Sequence, residues 1–186
     1  SGFKQYLLNN AFTKFALGYN VVSNTFYPTK FTDHVGRPLP EVLSSDLGTT
    51  QDHHAAPLDS YLFEEVFYDS NLERENIIQG EIDNDILAVT VFTKIPKNSI
   101  KIPVAGGYTY SPDFAYVVKT AKNEYLNFII ETKNVEGKDV LRKEEAKKIE
   151  HAAQLFKQIS KEVKIEFKTQ FSNDTIYNMI KNHATS

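Results

Sequence analysis

The order of periodic segments after residue 70 is the feature that most restricts the fold of this 186-residue chain. The pattern Ser70-x-x-Glu73 is typical of a helix capping box, and the segments that follow repeat apolar residues with helical or strand periods. They predict a helix over 71–82, strands over 86–92, 114–118 and 125–130, a helix over 139–160 and a strand over 163–168. This order predicts an α/β fold in which helices flank a mixed sheet.

The first third of the chain predicts an extension of this core. Apolar residues recur at helical spacing over 3–17, strand-forming residues are frequent over 20–31, and the Gly-Arg-Pro-Leu-Pro run at 36–40 breaks regular structure. A mass of 21.2 kDa suits one compact domain. We therefore expect an N-terminal helix and strand extension over 1–60, packed on a core over 61–186.

Composition excludes several kinds of site. The chain has no cysteine, so disulfides, thiolate zinc sites and cysteine nucleophiles are excluded, and any metal must be held by oxygen or imidazole. The formal charge is −3, yet residues 119–168 carry an excess of basic side chains, which allows a local phosphate-facing surface. The apolar runs are far shorter than the roughly 20 residues needed to span a bilayer, so we expect a soluble protein.

Two carboxylates with a lysine beside them are predicted at one end of the sheet. Asp113 begins the second predicted strand, and Glu131-Thr132-Lys133 ends the third. A hairpin of these strands brings Asp113 and Glu131 together, and two-residue alternation places Lys133 on the same face as Glu131. Such a group suits phosphodiester hydrolysis, in which Mg²⁺ neutralises the phosphate and lowers the pKa of water while the ammonium positions that water.

The alternative is that Pro112-Asp113 marks a turn and Glu131-x-Lys133 is a surface charge pair. Both pieces, however, end apolar strands, where acidic residues are disfavoured unless they have a role. The catalytic interpretation is therefore favoured.

Flanking stretches make the pattern more specific, and the chain resembles a known nuclease superfamily. Asp113 with Glu131-x-Lys133, on a helix, three strands, helix and strand, resembles the PD-(D/E)xK nucleases. The stretches that narrow the resemblance are Thr29-Lys30-Phe31-Thr32-Asp33 with Gly36, Tyr61-Leu62-Phe63, Tyr68-Asp69-Ser70 followed by Leu72-Glu73, Tyr110-Ser111-Pro112-Asp113-Phe114-Ala115, and Ile130-Glu131-Thr132-Lys133. Over about 29–156 the chain is similar to the C-terminal endonuclease region of the restriction subunit of type III restriction–modification enzymes.

The resemblance implies a role for each site residue. Asp113, Glu131 and the backbone carbonyl of Thr132 would coordinate Mg²⁺, for which Mn²⁺ can substitute, and Lys133 would assist the nucleophilic water. Glu73 matches an acidic position that the superfamily often adds to the metal site. An equally supported alternative is that Glu73 reaches back to cap Ser70 at the start of its helix.

The resemblance also implies a larger enzyme. It predicts a type III site-specific deoxyribonuclease in the bacterial cytoplasm that cleaves double-stranded DNA. Its partners would be a helicase/ATPase region of the same full-length protein, through which alone ATP would act, and a modification methyltransferase subunit; no membrane is involved. Two alternatives remain: a non-catalytic DNA-binding or subunit-docking module with the same fold, and a phosphatase of small molecules. The phosphatase is disfavoured because the chain has no glycine-rich phosphate cradle.

Basic residues after the Glu-x-Lys strand are candidate contacts to the DNA backbone. They are Lys138, Arg142, Lys143 and Lys147. Interleaved glutamates favour the simpler alternative of a solvated helix face. His151, near the polar edge of the same helix, is expected to be exposed to solvent.

Overall fold

The computed structural model describes residues 2–19, 30–79, 83–84, 87–161 and 164–184. In chain order the elements are α1 (Gly2–Asn10), α2 (Ser44–Leu47), β1 (Thr50–Gln51), β2 (Phe67–Tyr68), α3 (Asn71–Ile78), β3 (Asp83–Asn84), β4 (Leu87–Lys94), β5 (Ile102–Val104), β6 (Tyr108–Tyr110), β7 (Phe114–Thr120), β8 (Tyr125–Lys133), a short 3-10 helix (Lys138–Val140), α4 (Lys143–Ile159), β9 (Ile165–Phe171) and α5 (Ile176–Ala184). The predicted order of helix, three strands, helix and strand is present from α3 to β9.

The central sheet has five strands in the order β3-β4-β7-β8-β9. The pairs β3-β4, β4-β7 and β7-β8 are antiparallel. The pair β8-β9 is parallel, and α4 connects these two strands. Two small two-stranded sheets, β1-β2 and β5-β6, lie outside it. The mixed sheet flanked by helices confirms the predicted fold class.

Each face of the central sheet carries its own apolar cluster. On one face, Phe114 and Phe128 pack with Ile77 of α3 and Ile180 of α5. On the other, Ile129 packs in a cluster with α1, the β5-β6 hairpin and α4, to which they contribute Leu8, Ile102, Val104, Tyr110, Ala152 and Phe156. Because successive strand side chains alternate between faces, β8 contributes to both clusters. None of the helices in the described ranges is long and apolar enough to cross a membrane.

Several element boundaries differ from those predicted. Helix α3 ends at Ile78, and residues 80–82 of the predicted helix lie outside the described residues. The N-terminal helix ends at Asn10 and gives way to turns, and most of the predicted strand over 20–31 lies outside the described residues. The predicted helix over 139–160 is divided, because Arg142 has an extended backbone (φ −61°, ψ 142°) and α4 starts after it.

Several elements were not predicted, namely α2, β1, β2, β3, the β5-β6 hairpin and α5. The hairpin β5-β6 has strands of three residues, one of which is Pro103, and strands this short show too few alternations to be recognised. No element was predicted after residue 168, whereas α5 follows β9. The division into an extension over 1–60 and a core over 61–186 stays a prediction.

Candidate active site

The register of the β7-β8 hairpin brings Asp113 to the end of β8. Phe114 pairs with Ile130, and the amide of Asp113 donates to the Ile130 carbonyl at 3.1 Å. The Asp113 carbonyl in turn accepts from the Ile95 amide at 2.7 Å. Asp113 is therefore fixed between the ends of two neighbouring strands, as the hairpin predicted.

Thr132 orients the Asp113 carboxylate. Oδ2 of Asp113 accepts hydrogen bonds of 2.7 Å from both the Thr132 amide and the Thr132 Oγ1 hydroxyl. Burial raises the pKa of Asp113, and the nearby charge of Glu73 raises it further despite these bonds. The carboxylate is thus held rigidly in a place where its negative charge is poorly compensated by the protein.

Glu131 lies beside Asp113 with one oxygen paired and the other bare. It is 3% exposed; Oε1 lies 2.6 Å from Nζ of Lys133, and Oε2 is buried without a hydrogen-bond partner. Burial and then the charge of Asp113 raise the pKa of Glu131 to about 8. Burial opposes the charge of Lys133, but Glu131 outweighs it and the pKa of Lys133 is raised. The predicted juxtaposition of Asp113, Glu131 and Lys133 is present.

A cleft of about 220 Å³ opens beside Glu131 and Lys133. Its other lining residues are Thr109, Tyr110, Ser111, Glu145 and Lys148. The Ser111 hydroxyl is, like Oε2 of Glu131, buried without a hydrogen-bond partner, and the buried Tyr110 hydroxyl interacts with the Glu131 carboxylate. Buried polar atoms are rarely left unpaired in native proteins, so their concentration at this cleft is typical of a ligand site.

Glu73, in the first turn of α3, lies close to this group. The Ser70 hydroxyl accepts from the Glu73 amide at 3.3 Å, as an N-cap residue does. The Glu73 carboxylate reaches back, but to the amide of Asp69 at 2.8 Å rather than to that of Ser70. The predicted contact of the Glu73 carboxylate with Ser70 is therefore replaced by one with Asp69, the residue before the N-cap. The charge of Glu73 acts on Asp113, and its role in the metal site stays a prediction.

A buried lysine that the sequence analysis missed lies against Glu73. Nζ of Lys94, at the end of β4, is 2.6 Å from Oε2 of Glu73 and 2.9 Å from Oδ2 of Asp69. Lys94 is only 3% exposed. Lys97 pairs with the other oxygen of Asp69 at 3.1 Å. A lysine at the end of an apolar strand was the available signal, since buried lysines are rare unless they are paired.

Comparison with known proteins decides the family. Residues 59–174 match the family described as "Endonuclease domain". The chain belongs to this family. The endonuclease family and the mixed sheet together confirm the PD-(D/E)xK-like fold and the resemblance found in the sequence. No solved structure gives a significant match.

Two curated relatives of this endonuclease domain are restriction subunits. The type III restriction-modification enzyme EcoPI Res subunit of Escherichia phage P1 is 71% identical over 181 residues, and the EcoP15I Res subunit of Escherichia coli is 70% identical over the same length. Each alignment covers 97% of this chain but 18% of the relative. The chain therefore spans about a fifth of the length of these relatives.

The site of the endonuclease domain fits a hard divalent cation. Among the described residues no three histidine, aspartate or glutamate side chains gather in a metal-binding group, so two carboxylates and main-chain oxygen are the donors available. Oε2 of Glu131 supplies a buried carboxylate oxygen that no protein donor occupies. Oxygen ligands of this kind are those that Mg²⁺ prefers.

The predicted DNA-contact residues of the endonuclease domain lie at the surface. Lys138 and Lys143 are exposed, whereas Arg142 pairs with Glu145 and Lys147 with Glu150. Lys148, which was not predicted, lines the cleft and lies over the Tyr108 ring at 5.4 Å. The ion pairs support the alternative of a solvated helix face for part of the set, so the DNA contacts stay a prediction.

The expectation that His151 is exposed is wrong. His151 is 3% exposed, the Phe12 ring lies 4.4 Å from its ring, and the Tyr19 hydroxyl lies 3.0 Å from Nδ1. Residues remote in sequence cover this side of α4, which the periodicity of the helix alone could not show.

Proposed function

We propose that this chain is the catalytic endonuclease domain of a type III restriction enzyme and hydrolyses DNA phosphodiester bonds. Asp113, Glu131 and the Thr132 carbonyl hold Mg²⁺, which Mn²⁺ can replace. The bound metal neutralises charge on the phosphate and lowers the pKa of water. The bare Oε2 of Glu131 beside the oriented Asp113 is the observation that carries the proposal.

The chain's own residues supply the remaining functions. Thr132 fixes the Asp113 carboxylate through its amide and hydroxyl, which keeps the carboxylate in place between catalytic cycles. The Lys133 ammonium lies against Glu131 and lines the cleft, where it can position the attacking water or stabilise charge that develops on the phosphate. Intact Asp113, Glu131 and Lys133 favour cleavage over the non-catalytic DNA-binding or docking module.

The larger assembly is part of the same proposal. Both relatives are named as type III Res subunits, and this chain spans 18% of each. We expect the remaining length to include a helicase/ATPase region through which ATP acts, a modification methyltransferase subunit as partner, and double-stranded DNA as substrate in the bacterial cytoplasm. Lys138, Arg142, Lys143 and Lys147 are the proposed contacts to the DNA backbone.

Calorimetric titration with Mn²⁺ tests the metal site directly. Asp113→Asn and Glu131→Gln should each weaken Mn²⁺ binding by about 100-fold, since each removes a charged oxygen ligand. Asp139→Asn, at an exposed position, is the matched control and should leave the affinity unchanged. Wild-type affinity in both site variants would remove the metal site. Cleavage by full-length enzyme that carries Asp113→Asn would favour the non-catalytic module.

A further inference from the structure

Glu73 is a buried carboxylate near the proposed metal ligands, and its location alone does not show whether it binds the metal. It is 6% exposed, it lies in the first turn of α3, and its charge acts on the Asp113 carboxylate. A buried carboxylate beside a metal-binding pair would ordinarily be drawn to the metal as a further ligand. What decides its role is the set of groups that already hold its oxygens.

Two donors converge on one oxygen of Glu73. Oε2 accepts from the Asp69 amide at 2.8 Å and lies 2.6 Å from the Lys94 ammonium. The ammonium is itself anchored, because it also pairs with Asp69 at 2.9 Å and lies at the end of a sheet strand. A buried ion pair is costly to break, since removing either partner leaves an uncompensated charge.

The ion pairs divide the charges of the region into two groups. Asp69 and Glu73 are balanced by Lys94 and Lys97. In the second group Lys133 pairs with Glu131, whereas the Asp113 carboxylate accepts hydrogen bonds from Thr132. Of these two groups the second alone has more carboxylates than ammonium groups, so a divalent cation is attracted there rather than to Glu73.

We propose that Lys94 is a positioning residue that holds Glu73 outside the coordination shell of the metal, so that Asp113 and Glu131 are its only carboxylate ligands. The inference rests on the proposed function of the site. Lys94 thereby sets how many carboxylates the site offers to the cation. Glu73 acts as the counter-ion of Lys94 and accepts from the Asp69 amide.

Substitution of Lys94 shows whether Lys94 keeps Glu73 away from the metal or orients Glu73 toward it. If Lys94 withholds Glu73, Lys94→Met frees a carboxylate and should tighten Mn²⁺ binding by about tenfold or more. If Lys94 instead orients Glu73 as a ligand, the same change weakens binding, which would overturn the proposal. Lys97→Met is the matched control, because Lys97 pairs with Asp69 but not with Glu73; it should change the affinity by about threefold at most.

A second pair of variants separates ligation from charge. In the Lys94→Met background, Glu73→Asp keeps the charge but shortens the side chain, so it should abolish the gain if Glu73 has become a ligand. Glu73→Gln should abolish it as well. A gain that persists in the Glu73→Asp double variant, whatever Glu73→Gln does, is an effect of charge and not of ligation, and the proposal then fails.

Glu73→Gln with Lys94 intact keeps the proposal testable if Lys94→Met does not fold. The expected Mn²⁺ affinity is then within about threefold of wild type, as for the loss of a charge that is not a ligand, and a loss of about 100-fold would overturn the proposal. Asp113→Asn, measured beside it, reports on the site itself. If Asp113→Asn also has no effect, the proposed function fails rather than the role of Lys94.

Discussion

Lys94 and Lys133 end the two strands that border β7, and each lies 2.6 Å from a glutamate oxygen. Their surroundings differ. Lys133 keeps 21% of its side chain exposed and lines the cleft, whereas Lys94 is enclosed. An ammonium that faces a cleft can meet substrate, while an enclosed one acts only through its partners. Substitution of Lys133 should therefore change the reaction, and substitution of Lys94 should change the metal site.

Lys133→Ala should leave metal binding intact, or tighten it, because the change removes a positive charge from an acidic group. Cleavage by the full-length enzyme should fall by roughly 10²–10⁴-fold, the usual effect of losing a group that positions or protonates a reactant. DNA-stimulated ATP hydrolysis by the same variant is the control and should persist. Full cleavage would contradict the assigned role, and loss of both activities would indicate misfolding.

Asp69 should make the fold sensitive to acid. Burial opposes its charge, but the ion pairs with Lys94 and Lys97 lower the pKa of Asp69 to about 2. A carboxylate whose pKa is lower in the folded chain contributes stability that is complete above the unfolded value of about 4 and is lost as the pH falls toward 2. Urea unfolding at pH 5 and pH 3 should show a smaller loss of stability for Asp69→Asn than for wild type. Asp59→Asn, at an exposed position, should behave as wild type; equal losses in all three chains would contradict the prediction.

Strand patterns predicted part of the site, the family resemblance added Glu73, and Lys94 was not predicted. Asp113, Glu131 and Lys133 belong to one hairpin, where alternation and strand register relate them directly. Lys94 and Glu73 come from a strand and a helix, and no period connects them. Their pairing depends on how α3 packs against the sheet, which local pattern does not determine.

At the scale of elements, a pair of amides joins α3 to β9. Asn76 and Gln170 exchange hydrogen bonds of 2.6 and 3.0 Å, and Gln170 is 1% exposed. Two buried amides that satisfy each other fix the position of the helix, since any shift would leave both unpaired. The helix that carries Glu73 is thereby set relative to the parallel edge of the sheet.

Gln170→Ala should destabilise the chain by about 1–3 kcal/mol, because it leaves the Asn76 amide buried without its partner. The double variant Asn76→Leu with Gln170→Leu should lose less stability than the sum of the losses measured for Asn76→Leu and for Gln170→Leu alone. In the double variant neither amide is left without its partner. Urea unfolding measures both. Asn173→Ala, at an exposed position, is the control, and additive losses in the double variant would show that the amides are not coupled.

Element types were predictable where the pattern was long. The stripe on α4 and the apolar run of β8 were identified, although β8 extends to Lys133 and α4 starts only at Lys143. The missed hairpin β5-β6 is stabilised by tertiary contacts, with Ile102 and Val104 in the cluster beneath α4. Such contacts fix short elements whose own sequence carries little periodic signal.

At the scale of the whole molecule, the 186-residue chain should cleave DNA weakly and without site preference, or not at all. The relatives that share its sequence are more than five times as long, and we propose that target location and ATP-driven positioning come from the additional length. Incubation with supercoiled plasmid and Mg²⁺ should give at most slow nicking. Discrete fragments from a defined sequence would instead indicate an autonomous restriction enzyme.

The start of the chain is tied to α4 by contacts that no local pattern contains. Leu8 joins the cluster of Ala152 and Phe156, and the Tyr19 hydroxyl donates to the Pro103 carbonyl at 2.7 Å. Since that hydroxyl has one proton, it must accept from Nδ1 of His151. These contacts between the start of the chain and α4 explain why His151, on the polar edge of that helix, is buried.

The pairing of β8 on both edges makes the site intolerant of changes in strand length. Seven residue pairs, from Asn127–Ile165 to Lys133–Phe171, hold β8 against a parallel strand that arrives from beyond α4. A slip of one position would turn Glu131 and Lys133 toward α3 and Thr132 toward the cleft. A one-residue insertion within β8 ahead of Glu131 would therefore act as an active-site mutation, although it replaces none of the proposed ligands. In the turn over 121–124, an added residue would extend the connection without shifting either strand.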